Sequence, residues 1–85
     1  MKKLTFVFGT YRFRIKDVWL EYRNPYGKAF RVLKSDIESV SIDQTKRGGG
    51  HLMINGKGTL LAQVDLPLTW ARKAQEFILE DIGKI

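Results

Sequence analysis

A change of hydrophobic period near residue 66 constrains this chain more than any other feature. Up to Asp65 the apolar residues recur mostly at every second position, which is the pattern of strands buried on one face. The clearest stretch is Tyr11 to Lys16, where Tyr11, Phe13 and Ile15 alternate with Arg12, Arg14 and Lys16. From Pro67 onward the period becomes 3.6. Trp70, Ala71, Ala74, Phe77, Ile78 and Ile82 form one stripe, with Arg72, Lys73, Gln75, Glu76 and Asp81 expected to face water. Strands over about residues 4–65, followed by a closing helix over about 67–82, fit a single domain spanning residues 1–85.

The breaks between strands have recognisable chemistry. Gly9-Thr10 suits a tight hairpin after the run Leu4 to Phe8, because glycine reaches positive φ without a steric penalty. Val18 to Arg23 reads as a strand with Val18, Leu20 and Tyr22 on one side and Trp19, Glu21 and Arg23 on the other. Asn24-Pro25-Tyr26-Gly27 is a turn in which Pro25 presets φ. Lys28 to Lys34 resumes the alternation, with Phe30 and Val32 facing one way. The spacing of Ile37, Val40 and Ile42 predicts one irregular turn before a strand over about Ser39 to Asp43. Gln44 to Gly50 reads as a long loop. His51 to Asn55 and Thr59 to Asp65 are the last two strands, joined at Gly56-Lys57-Gly58, and Gly83 ends the helix. Seven strands with regular turns point to a small antiparallel sandwich or barrel.

Parts of this text resemble the bacterial pleckstrin-homology-like domain family. The similarity lies in Val18-Trp19-Leu20-Glu21-Tyr22-Arg23, in Ala29-Phe30-Arg31-Val32-Leu33, and in the Ile37-x-x-Val40 pattern within Ser35 to Ile42. Leu52 to Gly56 and the helix centred on Ala71 and Ala74 are also similar to that family. The resemblance implies a mainly β fold: a seven-stranded antiparallel sandwich or half-open barrel, capped at one mouth by a single C-terminal α-helix. It also implies a non-enzymatic interaction or scaffolding domain, which binds a protein partner or self-associates through a strand edge or a basic face.

Composition removes most enzyme classes. There is no cysteine, which excludes disulfides, thiolate-held metals and thiol catalysis. His51 is the only histidine, so a histidine-rich metal site or a histidine pair cannot form, and any nucleophile–base arrangement would have to rest on His51 alone. Following three glycines at the start of a strand, it is expected to be exposed or paired across strands. Asp36 with Glu38, and Glu80 with Asp81, are expected to be solvated pairs. Gly48-Gly49-Gly50 fails the phosphate-loop pattern, because a Gly-Lys-Ser/Thr sequence at the required spacing is missing and a strand follows where a helix is needed. The expectation is no catalytic residue, no cofactor and no metal.

Charge supplies the candidate site. The net charge is +6, and residues 1–34 hold nine Lys/Arg side chains against only Asp17 and Glu21. Arg12, Arg14 and Lys16 share the face opposite the core, and Arg31 from another basic strand extends it if the fold brings that strand alongside. Lys46 and Arg47 are candidate loop contacts that could wrap an anion together with the glycines after them. Such a face attracts acidic protein, nucleic acid or an anionic membrane surface. Trp19 and Tyr26 could stack bases if exposed. Lys3, Arg12 and Arg14 loosely match the basic residues of phosphoinositide-binding pleckstrin-homology domains, but the turn at Gly9-Thr10 reads as too short for their deep pocket. A protein partner or homo-oligomer is the leading reading. A nucleic-acid-binding small barrel and an adaptor to anionic membranes are the alternatives. Met1-Lys2-Lys3 before Leu4 to Phe8 imitates a signal peptide but lacks a cleavage site, and no apolar run is long enough to span a bilayer. A cytoplasmic location is expected.

Overall fold

The computed structural model describes residues 1–83. In chain order the strands are β1 (Lys2–Phe6), β2 (Tyr11–Lys16), β3 (Trp19–Arg23) and β4 (Ala29–Leu33), then a short 3-10 turn over Lys34–Asp36. β5 (Ser39–Gln44), β6 (Gly49–Gly56), β7 (Thr59–Pro67) and helix α1 (Leu68–Asp81) complete the chain. β1 to β4 form one antiparallel meander and β5 to β7 a second, so the protein is mainly β with one C-terminal helix. Both sheets are open.

The alternation explains the core. Phe13, Ile15, Leu20 and Tyr22 point inward from the first sheet, and Val40, Leu52, Ile54 and Val64 from the second. The helix contributes Ala71, Ala74 and Ile78, all with no exposed surface. The two alanines let its backbone lie close to β5 and β6. Burying Ile78 contributes about 1.5–3 kcal/mol. Trp70 closes the helix against the first sheet: its ring stacks on Phe6 at 4.8 Å and 7°, and Tyr11 lies 5.5 Å away.

Several turns differ from the sequence expectation. β1 begins at Lys2 and ends at Phe6, and the connection to β2 is Val7 to Thr10, wider than Gly9-Thr10. Val7 and Phe8 adopt φ values of 52° and 56°, ahead of Gly9 at 83°. The loop is held because the Val7 carbonyl accepts from both the Thr10 backbone N–H (3.2 Å) and the Thr10 hydroxyl (2.7 Å). Phe8 projects fully into solvent. Val18 likewise leaves the core. It sits in a two-residue turn after Asp17, whose φ of 55° is tolerated by aspartate.

The glycine run is the larger correction. The loop between β5 and β6 covers Thr45 to Gly48, while Gly49 and Gly50 are strand residues paired to Pro67 and to Gln44 and Leu66. Gly50 is buried beneath the helix. A Cβ there would stand 3.0 Å from Ile42 Cγ2, 3.4 Å from Leu68 Cδ1 and 3.5 Å from Ala71 Cβ. Close packing of helix on sheet, not loop flexibility, requires this glycine. β7 runs on through Pro67, which precedes the helix as its N-cap residue, and Ile82 is the C-cap.

Two helix residues expected in water are engaged. Gln75 Nε2 donates to the Val40 carbonyl at 2.7 Å. Asp81 accepts from Lys34 Nζ at 2.9 Å and lies 3.5 Å from Lys2 Nζ, its side chain only 11% exposed. The Glu80–Asp81 pair is therefore not a solvated pair. Leu79, outside the expected stripe, packs against the core.

Candidate functional site

Strand register builds the candidate face from rows of directly opposed residues. One row on the outer side of the first sheet runs Lys3, Arg14, Glu21, Arg31 across β1 to β4. The adjoining row runs Thr5, Arg12, Arg23, Ala29, and the row on the other side contains Lys16, Trp19 and Leu33. Arg12, Arg14, Lys16 and Arg31 thus meet on one surface, because alternation sends Phe13, Ile15, Leu20 and Tyr22 to the other side of the same strands. Lys3 and Arg23 join them, and Glu21 is the one carboxylate in these rows. Arg23 is absent from the patch expected from sequence, although the alternation of β3 puts it on the face opposite Tyr22.

The cations differ in what they touch. Arg14 donates Nε (2.9 Å) and Nη2 (2.7 Å) to Glu21 Oε1. Arg31 lies over the Trp19 ring, 4.1 Å from its centroid, in cation–π geometry. Trp19 is half-buried under this contact. Among the described residues Arg12 makes only a long bond, Nε to the Gly9 carbonyl at 3.4 Å. Between Arg12, Arg14, Arg23 and Arg31 the surface dips into a groove of about 390 Å³, lined also by Glu21, Tyr22, Ala29 and Phe30. Beneath it, burial pushes the Tyr22 phenol above its ordinary pKa, partly opposed by the Asn24 Nδ2 donor at 3.1 Å. Tyr22 stays a neutral wall.

Lys46 and Arg47 are not part of this surface. They occupy the exposed turn between β5 and β6 in the other sheet, where Arg47 borders a separate shallow depression of about 410 Å³ beside Gly48, Gly49 and Pro67. With Gly49 and Gly50 committed to β6, the backbone cradle imagined around them is reduced to the turn itself.

His51 pairs across strands, with Nδ1 against Asp65 Oδ1 directly opposite it on β7. Among the described residues no group of three or more His, Asp or Glu side chains is arranged to hold a metal ion. No described helix is long and apolar enough to cross a membrane. The chain matches no family model, no curated protein and no solved structure.

Proposed function

We propose that this chain is a non-enzymatic interaction domain of pleckstrin-homology-like layout, and that the outer face of β1 to β4 binds an acidic segment of a protein partner. The observation that carries the reading is the face itself: six cations, Lys3, Arg12, Arg14, Lys16, Arg23 and Arg31, surround the single carboxylate of Glu21. A field of one sign on a sheet face raises the local concentration of an oppositely charged partner and speeds its arrival. The order of a four-stranded meander, a three-stranded meander and a closing helix supports the layout.

An acidic protein segment fits this surface better than a nucleic-acid strand. Single-strand binders offer open aromatic faces to successive bases. Here Trp19 is covered by Arg31, Phe13 is buried and Tyr11 packs against the core, while the exposed Tyr26 lies in the β3–β4 turn, outside the rows of the face. Backbone-amide NMR of the labelled chain, titrated with an Asp/Glu-rich peptide, a single-stranded oligonucleotide and anionic vesicles, tests the reading. The expected result is that the peptide shifts amides of β2 to β4 and that these shifts shrink as salt is raised, because exposed charge contacts are screened. Binding by the oligonucleotide alone, with steep salt dependence, moves the function to nucleic acid. Response to vesicles alone moves it to membranes.

A further inference from the structure

The four arginines around the groove are unequally engaged. Arg14 spends two donors on Glu21 and Arg31 rests on Trp19. Arg12 and Arg23 face each other in direct register across β2 and β3, and among the described residues neither has a carboxylate within ion-pairing distance. Like charges directly opposed on neighbouring strands destabilise a sheet. Their row offers no relief, since Thr5 on one side and Ala29 on the other are uncharged. The short Ala29 side chain also leaves the space beside the two guanidinium groups open, where the groove of about 390 Å³ lies.

The same face supplies its own comparison. One carboxylate, Glu21, is satisfied by one arginine, Arg14, through two nitrogens. Glu21 also lines the groove but is held by Arg14, so Arg12 and Arg23, which no carboxylate pairs among the described residues, have the charge and the donors for an anion of twice that charge. A phosphate monoester carries about −1.5 to −2 charges and three terminal oxygens at neutral pH. Each guanidinium presents a planar fork matched to two such oxygens, and opposed strand residues stand about 4.5–5.5 Å apart at Cα, close enough for both forks to reach one phosphorus centre. Resting on the proposed acidic-partner reading, we infer that Arg12 and Arg23 form a subsite for a dianionic oxyanion: the phosphate of a phosphorylated side chain within the partner's acidic segment. The single bond from Arg12 Nε to the Gly9 carbonyl sets that side chain beside the β1–β2 loop, and its terminal nitrogens make no hydrogen bond among the described residues.

The test uses the whole chain and one Asp/Glu-rich peptide with a central position that is serine, glutamate or phosphoserine. Fluorescence anisotropy should show the phosphoserine form binding about tenfold tighter than the glutamate form, the ratio expected for one added charge-assisted pair. Arg12→Lys and Arg23→Lys keep the charge but remove the forks. Each should cut that preference to about twofold or less, the serine-form affinity being measured alongside so that any general loss of attraction cancels in the ratio, and leave the thermal midpoint unchanged. Amide NMR with inorganic phosphate should shift residues 12 and 23 first, and those shifts should weaken in the lysine variants.

Equal affinity for the phosphoserine and glutamate forms overturns the subsite while leaving the acidic-partner reading intact. A preference that survives in both lysine variants also overturns it. Failure of all three peptides removes the acidic-partner reading itself. Phosphate recognition seen only on vesicles carrying phosphorylated inositol lipid, and not on the peptide, assigns the subsite to a lipid headgroup and overturns the partner proposed here.

Discussion

Gln75 of the helix reaches back across 35 residues of sequence to donate its side-chain amide to the carbonyl of Val40, at 2.7 Å. Val40 belongs to β5, which pairs with β6 on one side only. The helix therefore does more than bury a stripe of alanine and isoleucine. It also occupies an acceptor on the edge of the three-stranded sheet, where an unpaired carbonyl would otherwise be open to another chain.

Replacing Gln75 tests this contact. Gln75→Ala should lower stability by about 1 kcal/mol, the usual net contribution of one hydrogen bond. Gln75→Glu should cost more at neutral pH, because a carboxylate cannot donate and would face the carbonyl with like polarity. Urea unfolding followed by circular dichroism measures both. Equal stability of all three proteins would show that water serves Val40 as well as the amide does.

Gly50 should tolerate no side chain. Gly50→Ala introduces a Cβ about 3.0 Å from the stiff β-branched Ile42 and hard against Leu68 and Ala71. Overpacking of this kind typically costs about 1–3 kcal/mol, partly offset by about 0.4–1 kcal/mol from the reduced entropy of the unfolded chain. A net loss near 1 kcal/mol in denaturant melts is expected. A variant as stable as the parent would mean the helix shifts without resistance.

Asp81 gives the fold an acid limit. The hydrogen bond from Lys34 holds its carboxyl below the ordinary value of 3.8, against the opposing effect of partial burial, with Lys2 adding to the same direction. A depressed folded pKa means the stabilisation is fully present above 3.8 and is lost as pH falls through the depressed value. Asp81→Asn should therefore be less stable than the parent at pH 7. The two unfolding curves should approach each other as acid protonates Asp81 in the parent. A gap that stays constant down to strong acid would show that the ion pairs of Asp81 with Lys34 and Lys2 contribute nothing.

The parts of this fold that the sequence disclosed are those governed by neighbours along the chain. Alternation alone assigns Phe13 and Ile15 to the core and Arg12 and Arg14 to the surface, and the 3.6 period places Ala71, Ala74 and Ile78. What remained hidden depends on partners distant in sequence. Gln75 and Asp81 look like solvated helix residues until Val40 and Lys34 are brought beside them. Gly49 and Gly50 look like loop because glycine has poor strand propensity, and only the helix above supplies the reason for their place in β6. Val7 and Phe8 look like strand because they are apolar, although pairing already ends at Phe6 and Tyr11. Arg23 was readable as a surface residue, but its confrontation with Arg12 is a matter of register, which composition does not encode.

The two tryptophans divide the molecule optically. Trp19 lies on the charged face under Arg31, and Trp70 is stacked on Phe6 where the helix meets β1. A ligand settling among the arginines changes the surroundings of the first indole and leaves the second untouched. Undocking of the helix changes the second and leaves the first. Intrinsic emission, separated with a Trp19→Phe and a Trp70→Phe variant, therefore reports occupancy and helix seating as two independent signals from one unlabelled chain.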